Sequence, residues 1–280
     1  MERVGPSWLR RARDGAFVLC AIARDEDDYL DEWIGFHLAL GFDRIVIYDH
    51  GSATPIGPRA RARWGAAVEV RRWRSPAAKA PQGLAYADAL RRHGHGAEWM
   101  LFLDLDEFLN LKRHRSVAAF AADYAAFDAV ALNWRVFGSA GLAAPDGRGV
   151  LARFTRAAPA DFEPNGHVKT LFRPRSVLRA GVHSPWLREG ARLVDTGGRR
   201  LDPTPEALRP GLGYEAAQVN HYFTKSRAEF AAKLARGRAD VPPTSPARFR
   251  GAELFDVYDR NEEEDLSILR HLSTPAAALA

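Results

Sequence analysis

The stretch Trp99-Met100-Leu101-Phe102-Leu103-Asp104-Leu105-Asp106-Glu107 passes from the most uniformly apolar run in the chain to three acids within four residues. Consecutive apolar residues of this kind suit a strand covered on both faces, as a central strand of an α/β sheet must be. Alternate side chains of an extended chain point the same way, so Asp104 and Asp106 are expected to project together from the strand's carboxyl end. Open α/β sheets bind ligands beyond those ends, where Mg²⁺ or Mn²⁺ is held by one or two carboxylates and substrate phosphates. Asp-x-Asp also occurs by chance as the start of a solvated turn, so the flanking sequence has to support the reading.

Upstream, short apolar runs alternate with helical periodicity, the pattern of βαβ units on a mostly parallel sheet. Phe17 to Ile22 reads as a first strand. Asp25 or Asp27 is placed to cap a helix whose Leu30, Trp33, Ile34, His37 and Leu38 recur at three- and four-residue spacing until Gly41. His37 on that apolar face reads as a packed histidine rather than a ligand. Arg44 to Tyr48 is a second strand ending at Asp49, and Val68 to Trp73 a third. Pro81 opens a helix that leads into the strand quoted above. Arg24, Asp25, Glu26 and Asp49 therefore follow strand ends on the same rim as Asp104 and Asp106.

Downstream, Ser116 starts a further helix and Ala129 to Trp134 a further strand. Beyond Pro159, Gly, Pro and Arg punctuate the chain so densely that strands are expected only near Lys169 to Phe172 and Arg192 to Val194. Ser226 and Glu229 match a capping box opening a helix to about Arg236. Lys169, Arg173 and Arg175 read as solvated charges, and Trp134, Phe137 and Trp186 as core aromatics before sugar-stacking ones. Gly138 and Gly141 fit either an ordinary turn or a close backbone approach to a ligand.

The chain has 280 residues, 46% of them hydrophobic, enough for one substantial core. The single cysteine, Cys20, lies in an apolar run, so no intramolecular disulfide forms and a reducing compartment is expected. The first apolar run is too short for a signal peptide or a membrane span. A net charge of +5 suits an anionic ligand such as a nucleotide diphosphate or a lipid headgroup. No basic stripe interleaved with aromatics points to nucleic acid.

A resemblance joins these features. Ala23 to Glu26, Tyr29 to His37, Leu40-Gly41-Phe42 and Ile47-Tyr48-Asp49 resemble the opening of glycosyltransferase family 92 and its bacterial relatives near the family 2 enzymes. Trp99 to Leu109 resembles its W-x-x-x-x-D-x-D-E-F-L signature, and Asn133 to Ser139 its W-x-x-F-G segment. Asn220-His221-Tyr222 with Lys225-Ser226, Glu229-Phe230, Lys233 and Arg236-Gly237 resembles its closing motif. The blocks occur in order over roughly residues 17 to 240.

The resemblance implies a GT-A fold in one domain: a Rossmann-like, mixed but mostly parallel sheet flanked by helices over 17–240. An N-terminal extension, 1–16, would precede it and a peripheral helical appendage, 241–280, would follow. It implies a nucleotide-sugar donor, Mn²⁺ or Mg²⁺, and transfer with inversion to a carbohydrate or glycolipid acceptor. Asp104 and Asp106 would take the metal, with Asp104 also at the donor. Arg24, Asp25, Glu26 and Asp49 would hold the nucleoside, Gln82 would line the donor pocket, and Lys225 or Lys233 would neutralise phosphate. A late histidine would complete the metal site, His221 first and His183 second. Inversion needs a base for the acceptor hydroxyl; the candidates are Asp161 and Glu163, in a loop after the metal motif. The expected setting is bacterial surface-polysaccharide assembly in the cytoplasm, with peripheral attachment at the inner membrane face. A metal-dependent nucleotidyltransferase and a non-catalytic carbohydrate-binding protein are the competing readings.

Overall fold

The computed structural model describes residues 15–211 and 213–272. Of the expected N-terminal extension, residues 1–14 lie outside the described residues, and Ala16 already opens the first strand. The elements run β1 (Ala16–Ala23), α1 (Asp27–Ala39), β2 (Arg44–Asp49), α2 (Ile56–Trp64), β3 (Val68–Arg72), α3 (Pro81–His93), β4 (Ala97–Phe102), β5 (Glu107–Leu111), α4 (Val117–Ala122) and β6 (Ala129–Val136). They continue with α5 (Val150–Arg153), β7 (Arg156–Ala157), β8 (Val168–Phe172), β9 (Val177–Arg179), β10 (Trp186–Leu187), β11 (Leu193–Asp195), β12 (Arg200–Leu201), β13 (Ala217–His221), α6 (Arg227–Arg236), α7 (Leu254–Tyr258) and β14 (Glu263–Glu264).

The main sheet has the order β12-β11-β6-β8-β4-β1-β2-β3, which makes β4 central as its apolar run required. Strands β4, β1, β2 and β3 are mutually parallel, whereas β8 runs antiparallel to both β4 and β6. The sheet is thus mixed, with helices on both faces. Strand β1 shows why it is buried throughout: Phe17, Leu19 and Ala21 join the core with Trp33 and Ile34 of α1, while Val18, Cys20 and Ile22 join the core with Ala85, Tyr86 and Ala89 of α3. The period of two sends alternate side chains to opposite helical layers, so a run apolar at every position is satisfied on both sides. His37 is buried between Trp33 and Phe108, its Nδ1 donating to the Trp33 carbonyl at 2.8 Å. No described helix is long and apolar enough to cross a membrane.

Two local expectations are corrected, and one helix is added. Glu26, not Asp25 or Asp27, precedes α1, and its side chain makes no capping bond. Helix α2 had no sequence signal strong enough to set against Arg59, Arg61 and Arg63; it forms because Ile56, Ala60 and Trp64, one turn apart, are buried. The described part of the expected appendage, residues 241–272, packs against the domain. It holds the five-residue α7 and short turns; Asp265 accepts from Gln218 at 2.9 Å, Ser267 from Asn110 at 2.8 Å, and β14 pairs with β7.

Candidate functional site

Strand β4 ends at Phe102, and Asp104 to Glu107 form a tight turn closed by the Glu107 N–H donating to the Asp104 carbonyl at 3.0 Å. The two aspartates are therefore not alternate residues of one strand. The turn brings both to the cavity, and each meets its own partners.

Asp104 Oδ1 accepts from Gln82 Nε2 at 2.5 Å and from the Tyr86 hydroxyl at 3.4 Å, both on α3. Its Oδ2 lies 3.2 Å from Lys169 Nζ on β8. Lys169 is 0% exposed and also lies 3.1 Å from Glu107 Oε2, so the residue read as a solvated charge is a buried counter-ion. Burial pushes the Glu107 carboxyl up to about 8 against the pull of Lys169, with Asp104 and Asp106 adding to the rise. Burial disfavours the Lys169 cation too, but Asp104 and Glu107 together hold its pKa above the ordinary lysine value.

Asp106 faces the late helix. Its Oδ2 accepts from Lys233 Nζ at 2.5 Å and stands 3.7 Å from His221 Nε2. The β13–β5 ladder, missed in the sequence, sets His221 opposite Glu107 and so beside Asp106. Lys233 is aimed by α6, whose start is fixed by the Ser226–Glu229 capping box that the sequence announced. Burial opposes ionisation of Asp106, yet Lys233 first and His221 second hold its carboxyl well below the usual range. Burial pushes His221 down to about 4 and Lys233 down to about 8, in both cases against the pull of Asp106.

The donor set can be tested against a hard divalent cation. Such ions take oxygen ligands and retain positions for water and substrate phosphate. Among the described residues no three His, Cys, Asp or Glu side chains already stand close enough to enclose an ion. Asp106 and His221, with Asp104 on the same turn, supply a partial set that phosphate oxygens can complete, and Lys233 occupies the Asp106 oxygen that an ion would take. The residues fit on that condition.

These groups share a cavity of about 280 Å³, also lined by Arg24, Glu26, Gln82 and His183. Five expected site residues are not on its wall. Asp25 is turned to the 52–53 loop, accepting from Ala53 N–H at 2.7 Å. Asp49 is buried and spends its carboxylate on the N–H groups of Ser52 and Ile56, at 2.9 and 3.3 Å. Lys225 is buried behind the wall with Nζ 4.2 Å from the Tyr29 ring. Asp161 and Glu163 are exposed and off the wall, in the loop before β8.

Sequence reasoning placed Arg24 and Lys233 at the donor but missed the other cations of the cavity. Arg248 and Arg250 line the cavity from the segment set aside as peripheral, Arg238 and Asp240 line it from just before that boundary, and Arg236 reaches Glu26 at 3.3 Å. The only advance signal was Arg236-Gly237 in the closing motif. Trp134 and His167 line the same cavity. Gly138 approaches the C-terminal segment rather than a ligand: a Cβ there would strike the Arg260 carbonyl and Asn261.

The chain is 28% identical over 246 residues to a glycosyltransferase family 92 protein of Ricinus communis, covering 82% of this chain and 39% of that one. It is 27% identical over 203 residues to a family 92 protein of Oryza sativa subsp. japonica, covering 70% and 34%. The chain thus spans about two fifths or less of those relatives. Among solved structures it is similar, at 17% identity and a TM-score of 0.38, to glucosyl-3-phosphoglycerate synthase from Mycobacterium tuberculosis in complex with Mn²⁺, UDP-glucose and phosphoglyceric acid, over 67% of this chain and 71% of that one. A sequence model described as glycosyltransferase family 92 matches residues 16–200, which span β1 to β12 with the Asp104–Glu107 turn among them. The chain belongs to glycosyltransferase family 92.

Proposed function

We propose that the chain transfers a sugar from a nucleoside diphosphate sugar, a UDP-sugar first, to a carbohydrate or glycolipid acceptor, with a divalent cation and with inversion. The observation that supports this most is the meeting of Asp104, Asp106 and His221 with Lys233 and the cavity-lining arginines. Asp104, Asp106 and His221 would hold Mn²⁺ or Mg²⁺, which when bound offsets charge on the leaving diphosphate. Lys233 is close enough to the same place to bind phosphate oxygens, and cations fixed before the reaction need no reorganisation as charge develops. Gln82 and Lys169 position Asp104 from two sides, so its carboxylate meets the donor in one orientation.

Calorimetry with UDP-glucose, with Mn²⁺ or with EDTA, tests the reading. Binding that requires the ion and is lost in Asp106→Ala is the expected result; equal binding in EDTA and in the variant sinks the metal assignment. Incubation with a nucleotide sugar should release the nucleoside diphosphate, and release of pyrophosphate instead replaces transfer of sugar by transfer of nucleotide. The setting we propose, surface-polysaccharide assembly with attachment at the cytoplasmic membrane face, rests on the resemblance to bacterial relatives. Fractionation that finds the expressed chain wholly apart from membranes overturns the attachment.

A further inference from the structure

Two chemically unlike sets of side chains line the cavity. One comprises Arg24, Lys233, Arg236, Arg238, Arg248 and Arg250, and suits an anion. The other comprises Trp134, His167 and His183.

His167 Nδ1 lies 3.0 Å from the Pro164 carbonyl, and His183 Nδ1 lies 3.0 Å from the Val168 carbonyl. A carbonyl only accepts, so each Nδ1 carries a proton, and in the neutral ring each Nε2 is then a bare acceptor. Among the described residues neither Nε2 has a hydrogen-bond partner. Trp134 lies against both rings, with centroids 4.8 Å from His167 and 5.4 Å from His183. It is 8% exposed, and its indole N–H is buried without an acceptor. Because His167 stacks on the indole at 22° and His221 packs 4.1 Å from it, the polar group that Trp134 has left to offer is that N–H.

These three residues therefore hold two unmet acceptors and, buried in the wall, one unmet donor, and none of them is a carboxylate or an ammonium. Phosphate offers acceptors alone, and its oxygens would face two lone pairs. A sugar ring offers hydroxyls that each donate and accept, which matches both kinds of unmet group. We propose that Trp134, His167 and His183 form a hydroxyl-recognition subsite for a hexose ring, placed so that the diphosphate lies toward the arginines. The assignment rests on the glycosyltransferase reading, and the same hydroxyl chemistry belongs to the donor's hexose and to a carbohydrate acceptor.

The experiment is calorimetry with UDP, UDP-glucose, UDP-galactose and methyl hexosides, the last in the presence of UDP and Mn²⁺. The proteins are wild type, Trp134→Phe, His167→Leu and His167→Gln, each checked for an unchanged melting temperature. Trp134→Phe removes the N–H together with part of the indole ring while keeping an aromatic face, and His167→Gln restores a side-chain acceptor. The subsite is supported when Trp134→Phe and His167→Leu weaken a hexose-bearing ligand by about tenfold, the worth of one good hydrogen bond, while UDP binding stays within about twofold. Part of the loss should return in His167→Gln. Loss with UDP-hexose assigns the donor sugar, and loss with methyl hexosides alone assigns the acceptor. Unchanged binding of every hexose-bearing ligand overturns the subsite, as does a tenfold loss of UDP itself. Failure of the wild type to bind any nucleotide instead refutes the transferase reading, and the subsite then stands or falls on the methyl hexosides.

Discussion

Lys233 Nζ sits 2.5 Å from Asp106 Oδ2, so the acid best placed to hold a cation already has one. The ammonium also donates to the Phe223 carbonyl at 3.0 Å, which anchors it when the carboxylate is taken by something else.

Lys233→Met should therefore have opposite effects on two ligands. Mn²⁺ alone should bind about tenfold more tightly, because no resident cation competes for Asp106, while UDP with Mn²⁺ should bind more weakly for want of a phosphate partner. Electron paramagnetic resonance of free Mn²⁺ measures the first and calorimetry the second. A fall in both affinities would mean that Lys233 assists the ion rather than competing with it.

Among the described residues Lys169 is the sole ammonium on the buried Glu107 and the partly exposed Asp104. Lys169→Met leaves that acid cluster uncompensated, and the expected loss is about 3–5 kcal/mol in urea unfolding. Adding Glu107→Gln replaces the buried acid by an uncharged amide and should recover a substantial part of it. If the double variant is no more stable than the single one, the lysine's value lies in packing and not in charge.

The ion pair of Arg153 and Glu229, at 2.8 Å with both side chains nearly inaccessible, ties α5 to the start of α6. Burial works against the Glu229 carboxylate, but hydrogen bonds from Arg153 and Ser226 hold its pKa down to about 2, below the ordinary glutamate value of 4.5. A depressed folded-state pKa contributes stability that is full above the unfolded value and is lost as pH falls through the folded one. The window is thus roughly pH 4.5 down to 2, with about 3 kcal/mol at stake. Glu229→Gln should be less stable at pH 7 and show a flatter stability curve across that window. A slope equal to the wild type's would remove Glu229 as its source.

Gly138→Ala should loosen the C-terminal segment, because the added methyl meets the Arg260 carbonyl and the Asn261 side chain. Asn261 Oδ1 now accepts from the Ala140 N–H at 2.9 Å, and Asp259 Oδ1 from the Ser139 N–H at 2.6 Å. A destabilisation of about 1–3 kcal/mol is expected, together with faster proteolysis near residue 260. Resistance equal to the wild type's would show that the backbone yields without undocking.

The sequence by itself determined the α/β class, the central position of β4, the helices starting at Pro81 and Ser226, and the acid turn as the place for ligands. Each of these is a local pattern: an apolar run, a helical period, a cap. Strand β5 escaped because Glu107 to Leu111 follows the acids directly and its partner β13 is over a hundred residues on. Only the tertiary structure decided which charges meet. Lys169 reaches Asp104 across 65 residues and Lys233 reaches Asp106 across 127, while Arg248 and Arg250 arrive from beyond the domain boundary drawn in advance. Such pairings depend on sheet register and on how loops cross the rim, and a residue's own neighbours in sequence carry no record of either.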